Sequence, residues 1–351
     1  MAGGTGGHVY PALAVAALLR ERGHEVIWMG APDSFEARAV PPHGFPLELV
    51  RVRGLRGGGI GRWLRAPLRL LRALADARAA LRRRRPQVVL GMGGFASGPG
   101  GIAAWMRRLP VVIHEQNAAP GLTNRLLAHV ARIVLEAFPA TLRGARTVGN
   151  PVRAGFAQLT DPALRIGQRD GAGNLLVIGG SQGSRTLNRI VPAALAQLPA
   201  AQRPVFRHQG GRTVDVANEE YARHGLLGNA GEVTAFIDDM PAAYAWADLV
   251  ICRAGASTIA ELAAAGCAAL LVPYPHAVDD HQTRNAEYLV NAGAALLVQE
   301  RELNAETLAG VIAGLLRERG KLAAMAQAAR AAAWPNATAA IADACLEAAA
   351  C

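Results

Sequence analysis

The chain has 351 residues, more than one ordinary core takes up, so two domains are expected. It is 51% hydrophobic and 18% charged, which excludes a disordered chain; no unbroken apolar run is long enough to span a bilayer, so any membrane contact is expected to be peripheral. The formal charge of +10 is carried almost wholly by arginine, with Lys321 the one lysine, and it points to anionic partners: nucleotides, nucleic acid or an acidic membrane face.

Met1-Ala2 leads straight into Gly3-Gly4-Thr5-Gly6-Gly7-His8. A glycine loop of this kind follows a β-strand, and here no strand precedes it: either the start is set too far downstream or the first strand has been lost, and in the second case an amino-terminal sheet that lacks a central member and is poorly stable is expected. Tyr10 to Arg22 reads as a helix with Pro11 in its first turn, and Glu25 to Met29 as a strand. The glycines let a ligand approach the backbone, Thr5 can donate to an oxygen, and His8 sits at the helix start, where its alternatives are a capping or packing histidine and a proton acceptor. No acidic residue stands at the spacing a dinucleotide site uses, which weakens an NAD reading.

Leu47 to Val52 is expected as a strand, followed by the break at Gly57-Gly58-Gly59. In residues 62–86 the spacing predicts a basic amphipathic helix. Trp63, Leu64, Leu68, Leu70, Leu71, Leu74 and Leu81 form its apolar face, and Arg62, Arg65, Arg69 and Arg72 the opposite flank. The part from Leu74 to Leu81 reads as ordinary packing on a sheet, and the part around Trp63 as a membrane-surface contact. A buried strand, Gln87 to Met92, feeds a second glycine loop, Gly91 to Gly101, and a helix through Arg107. Pro110 to Ile113 then ends in His114-Glu115-Gln116-Asn117, polar residues at the carboxyl end of a strand, where open α/β sheets place ligand contacts. Arg132 to Glu136 is one more strand.

Gly149 to Arg153 suits a hinge, after which the scheme restarts: a strand from Asn174 to Gly179, the loop Gly179-Gly180-Ser181-Gln182-Gly183-Ser184, and a helix from Arg185 to Leu198. Strands follow at Pro204 to Gln209 and Glu232 to Phe236. Leu249 to Cys252 is a short buried strand; the turn Arg253-Ala254-Gly255 then opens a helix from Ala256 to Ala265. Such a turn aims free backbone N–H groups and the positive end of a helix dipole at one point, which suits a phosphate, with Glu261 one turn further on, where it can accept from a ribose. The alternative is a plain βα turn capped by Ser257 and Thr258. Ala268 to Val272 is a strand, Asp279 to Gln282 starts a helix, and Ala-rich helices fill the rest, broken at Trp334-Pro335. Cys252, Cys267, Cys345 and Cys351 form no CxxC and have no histidine at zinc-like spacing, so reduced thiols and no metal site are expected.

Taken together, GGTGGHVYPALAVA, GMGGFASGPGG, HEQNAAPGLTNR, VGNPVR, GGSQGSRTLN, TAFIDDMPAAYAWADLVICRAGASTIAE and PxxxxxxDHQxxNA span nearly the whole chain. This set resembles the MurG family of GT-B nucleotide-sugar glycosyltransferases. The resemblance implies an α/β fold of two Rossmann-like, doubly wound parallel-sheet domains facing a cleft. Residues 1–148 would form the acceptor and membrane-facing domain, 149–153 a hinge, 154–333 the UDP-sugar domain, and 334–351 a helix packing back on the first domain. It implies transfer of N-acetylglucosamine from its UDP ester to the 4-hydroxyl of the muramyl sugar in lipid I, with inversion. No cofactor or metal is implied, since the helix start at Ala256-Ser257 would stabilise the leaving diphosphate.

The family's roles fall on Thr5, Gly6, Gly7 and Asn117 for the donor sugar, and on Arg153 and Ser181 for the nucleotide and its diphosphate. They fall on Ile237 for uracil, on Ala256, Ser257, Thr258, Ile259, Ala260 and Glu261 for phosphate and ribose, and on Gln282 for sugar hydroxyls. The first two glycine loops would receive the acceptor's diphosphate, and His8 would be the base. The implied partners are UDP-N-acetylglucosamine, lipid I, the cytoplasmic face of the inner membrane and other cell-wall synthesis proteins. Nucleic acid is not among them, since the chain has no basic-aromatic module for it. Two other readings fit the same motifs: another GT-B UDP-sugar enzyme, such as an epimerase or a natural-product glycosyltransferase, and a non-catalytic nucleotide-sugar sensor.

Overall fold

The computed structural model describes residues 1–52, 66–167, 171–180, 182–228 and 231–350. The expected Trp63 end of the basic helix, and Ser181, lie outside the described residues. The chain forms two compact units, Met1–Val152 together with Pro335–Cys351, and Arg153–Trp334.

In the first unit the chain runs α1 (Gly6–Glu21), β1 (Trp28–Gly30), α2 (Phe35–Ala39), β2 (Leu47–Leu49), α3 (Ala66–Arg84), β3 (Val89–Gly91), α4 (Ser97–Met106), β4 (Val111–Glu115), α5 (Leu122–Leu127), β5 (Ile133–Glu136) and β6 (Arg146–Thr147). All strand pairs are parallel, but they fall into two sheets, β1-β2 and β3-β4-β5-β6. Residues Met1 and Ala2 lie between the sheets: Met92 N–H donates to Met1 O at 2.8 Å, and Trp28 Nε1–H to Ala2 O at 3.1 Å.

Three local expectations are corrected. The first helix begins at Gly6 rather than Tyr10, because Thr5 is extended (φ −141°, ψ 161°) and serves as its N-cap; Gly6, Gly7 and His8 therefore form its first turn. Its Val9, Ala12, Leu13 and Ala16 recur at helical spacing and bury themselves in the core. Strand β4 runs two residues past its expected end at Ile113, through His114 and Glu115, and both are buried. In α3 the buried positions are Ala73, Ala77, Ala80 and Leu81, while Leu68, Leu70 and Leu71 are exposed. The packing stripe is thus built from alanines, which let α3 and α4 approach closely, and the leucines of the first turns lie off it.

The second unit runs α6 (Pro162–Gly167), β7 (Asn174–Ile178), α7 (Arg185–Gln197), β8 (Val205–Gln209), α8 (Val214–Arg223), β9 (Gly231–Thr234), α9 (Met240–Trp246), β10 (Leu249–Cys252), α10 (Ala256–Ala265), β11 (Ala268–Leu271), α11 (His281–Asn291), β12 (Ala295–Leu297), α12 (Ala305–Arg317) and α13 (Arg319–Ala331). Its six strands are all parallel, in the order β12-β11-β10-β7-β8-β9. The order reverses between β7 and β10, so the turns after these two neighbours meet at the switch point, where such sheets bind ligands. The last helix, α14 (Ala337–Ala350), belongs to the first unit. Its Ile341, Ala342, Cys345 and Ala348 join the core around α1, and Arg146 fixes its end through Glu347 at 2.7 Å.

At Gly183 (φ +78°) a Cβ would stand 2.4 Å from the Gly210 carbonyl oxygen. Gly183→Ala should therefore destabilise the second unit by about 3 kcal/mol, read from its urea midpoint, since both left-handed strain and overpacking apply. Gly171→Asn, also left-handed (φ +87°) but with nothing within 4 Å of its Cβ, should cost far less. Equal costs at the two positions would show that the close approach is not what matters.

Candidate active site

The first unit gathers Thr5, Gly6, Gly7, His8 and Asn117. Thr5 and Gly7 are exposed at the start of α1, so the first N–H groups of a 16-residue helix are presented to solvent. The preceding glycines are held by Glu36, a buried carboxylate on α2. Its Oε2 accepts from Gly4 N–H at 2.9 Å and its Oε1 from Ala31 N–H at 3.0 Å. The second glycine loop lies directly against the first: a Cβ on Gly94 (φ +85°) would stand 2.3 Å from Gly3 O. Ser97 donates to Gly93 O at 2.6 Å and closes that loop.

His8 Nδ1 lies 2.8 Å from Gln116 Oε1. Past the end of β4, Glu115 shapes the following turn: it accepts from Asn117 N–H at 3.0 Å, Gly121 N–H at 3.1 Å and Asn124 Nδ2 at 2.9 Å. The structure thus brings His8 and the strand-end residues together across 108 positions of sequence.

The second unit gathers Arg153, Ile237, Gln282 and the segment Ala256–Glu261. Gly255, extended, is the N-cap of α10, and Ala256, Ser257 and Thr258 make its first turn, with Ile259 buried beneath and Ala260 half-buried. Ala254 is pinned from both sides: its N–H donates to Gln282 Oε1 at 3.2 Å, and its carbonyl accepts from Asn285 Nδ2 at 3.1 Å. Gln282 Oε1 also accepts from Tyr274 N–H at 2.9 Å, so its amide nitrogen is the end left to face a ligand.

The Glu261 side chain is 12% exposed; Arg153 Nη2 lies 3.2 Å from its Oε1, and Tyr244 donates to its Oε2 at 3.4 Å. Burial raises its pKa, against the pull of Arg153. Arg253 is fastened to Glu300 and to the Val272 and Pro273 carbonyls beside this turn. Ile237 lines a pocket of about 200 Å³ with Arg207, Glu232, Thr234, Phe236 and Asp238.

Of these holding residues, Glu36 and His208 lie outside the quoted motifs, while Asn188, Tyr244 and Asn285 fall inside them without a holding role that spacing could assign. Asn188 Nδ2 donates to the Gly210 and Thr213 carbonyls at 3.1 and 2.8 Å, and its Oδ1 lies 3.0 Å from His208 Nε2. This network ties the turn from Gly210 to Thr213 to α7 and β8. The one signal in the sequence was the position of polar residues within otherwise apolar elements. Among the described residues, no three His, Cys, Asp or Glu side chains are grouped to hold a metal ion.

Two parallel α/β units with glycine turns at the carboxyl ends of their strands define the GT-B class of glycosyltransferases. Comparison with known proteins narrows the class. The N-terminal domain profile of glycosyltransferase family 28 matches residues 1–136 and the C-terminal domain profile residues 174–341. A relative from Alkalilimnicola ehrlichii, named UDP-N-acetylglucosamine–N-acetylmuramyl-(pentapeptide) pyrophosphoryl-undecaprenol N-acetylglucosamine transferase, is 55% identical over 99% of this chain and 97% of its own length. One of the same name from Nitrosococcus oceani is 54% identical over the same shares. The crystal structure of Acinetobacter baumannii MurG matches with a TM-score of 0.87 at 40% identity, over 99% of this chain and 98% of that one. The calicheamicin glycosyltransferase CalG4, at TM-score 0.67 and 19% identity over 98% of this chain and 95% of that one, shares the fold alone. The chain belongs to glycosyltransferase family 28 and, within it, to the MurG family.

Burial lowers the pKa of His114 to about 4 and that of His208 to about 3, so both are neutral in the folded chain. The unfolded chain takes up these protons near the ordinary histidine value of 6.5. Stability is therefore full above that pH and falls as the pH drops toward 4 and 3. At pH 5 the loss should be about 2 kcal/mol for each histidine relative to pH 7, measured by urea unfolding. A midpoint unchanged between pH 7 and pH 5 would contradict the buried neutral state.

Proposed function

We propose that the chain transfers N-acetylglucosamine from UDP-N-acetylglucosamine to lipid I. The acceptor's 4-hydroxyl oxygen forms a bond to the anomeric carbon, the bond from that carbon to the UDP oxygen breaks, and the configuration inverts. UDP leaves with the bonding electrons, and the hydroxyl proton passes to His8. The observation that carries this reading is the run of 55% identity over 99% of the chain to a relative named for this transfer, within which both sets of site residues fall.

The first unit supplies the acceptor side and the base. Thr5, Gly6, Gly7 and Asn117 contact the donor sugar, and backbone donors of the first two glycine loops receive the acceptor's diphosphate. The second unit supplies the donor side. The first turn of α10 faces the diphosphate, whose developing charge it stabilises. Glu261, with Arg153 and Tyr244 holding its carboxylate, accepts from the ribose hydroxyls, and Arg153 and Ser181 hold the nucleotide. Ile237 meets uracil through its backbone, and Gln282 donates to sugar hydroxyls through its amide nitrogen. His8→Ala should lower kcat by about 10²- to 10⁴-fold while the donor still binds with its wild-type affinity, measured by equilibrium titration beside turnover. Turnover at the wild-type rate in that variant would remove His8 from the reaction.

No helix among the described residues is long and apolar enough to cross a membrane. We propose instead a peripheral contact with the cytoplasmic membrane face through the first unit. The exposed Leu68, Leu70 and Leu71 in the first turns of α3 stand beside the exposed Arg69 and Arg72 of the same helix. Apolar side chains flanked by cations suit an anionic headgroup layer. The double substitution Leu70→Ser, Leu71→Ser should weaken flotation with phosphatidylglycerol vesicles at least about tenfold, by the area withdrawn from lipid. Unchanged flotation would exclude this face.

A further inference from the structure

A continuous chain of hydrogen bonds inside the first unit ends on the His8 ring, and its polarity is fixed at the far end. His114 is fully buried within β4, with Nε2 2.9 Å from the Gly149 carbonyl oxygen. A carbonyl only accepts, so Nε2 carries the proton. Burial keeps this ring neutral, so its Nδ1 holds a bare lone pair. Gln116 Nε2 lies 3.1 Å from that nitrogen and 3.2 Å from His114 O. Both are acceptors, so this end of the carboxamide must be the NH₂ group. The reverse orientation would set an oxygen against two lone-pair atoms.

The other end of the carboxamide, Oε1, therefore faces His8 Nδ1 at 2.8 Å. An amide oxygen only accepts, so Nδ1 of His8 is the protonated nitrogen and Nε2 carries the lone pair. Two further contacts hold the geometry. Asn150 Nδ2 donates to Gln116 O at 2.9 Å, and the His8 ring packs against Gly93, where a Cβ would stand 3.0 Å from Nδ1 and Cε1.

We propose that His114 and Gln116 are positioning residues that set the tautomer of His8, so that Nε2 is the nitrogen that takes the proton from the acceptor hydroxyl. The proposal rests on the reading of His8 as the base. A base in the wrong tautomer offers an N–H where a lone pair is needed, and an orienting group that fixes the tautomer is worth orders of magnitude in rate in other histidine-dependent enzymes. Neither residue touches the reacting atoms; each acts through the next.

The test is ¹⁵N NMR of the full chain labelled at histidine, with the His8 signals identified by their loss in His8→Ala. The wild type should show a protonated Nδ1 and a bare Nε2 on His8. Gln116→Met, close in shape but unable to hydrogen-bond, should lose that bias and lower kcat about 10²-fold, with the donor KM little changed. A wild-type ring protonated at Nε2 would overturn the proposal without bearing on whether His8 is the base. So would a Gln116→Met variant with wild-type kcat. Wild-type turnover in His8→Ala would instead overturn the reading on which the proposal rests, whichever tautomer the spectrum shows.

Discussion

Backbone approaches backbone in both units more closely than a Cβ permits. In the first unit the second glycine loop is pressed against the first, with Gly94 over the Gly3 carbonyl; in the second, Gly183 sits against the Gly210-Gly211 turn. These contacts occur at the carboxyl ends of parallel strands, where backbone N–H groups are left without ladder partners and a bound anion can take them. The glycines at these two contacts are required because the loops touch each other there.

Loops without side chains cannot hold themselves in place, and buried polar residues do it for them. Glu36 ties the first loop to α2, Ser97 closes the second, and Asn188 with His208 holds the Gly210-Gly211 turn that lies against Gly183. Glu115 and Asn285 do the same for the turn after β4 and the turn before α10. Each such group is costly to bury unpaired, so each specifies one loop geometry rather than adding much net stability. The Gln116 carboxamide works in this way and also carries polarity from the Gly149 carbonyl to the His8 ring.

Much of the fold was legible because it is local. The strand Leu249–Cys252 and the helix Ala256–Ala265 fall on the residues expected, since an apolar run, a glycine turn and a helical alanine pattern leave one arrangement. The start of α1 was misplaced by four residues because the extended Thr5 caps the helix in spite of two following glycines. The apolar stripe of α3 packs as expected from Leu74 to Leu81, but its first turns were misassigned: Leu68, Leu70 and Leu71 are exposed, and Ala73, Ala77 and Ala80 complete the buried stripe. The motifs brought the family into view, but the holding residues did not show. Gly4 and Glu36 are 32 positions apart, and His8 and Gln116 are 108 apart. No periodicity or spacing links such pairs; only the folded chain does.

The central claim is that this chain is a sugar transferase and not merely a binder of nucleotide sugars. The most direct measurement follows label from UDP-[¹⁴C]N-acetylglucosamine into a lipid I analogue, in detergent with EDTA, with the product's anomeric configuration read by NMR. The account predicts labelled lipid with the new bond in the β configuration, inverted from the α-linked donor. Saturable donor binding with no label in the lipid, or a product with retained configuration, would contradict it.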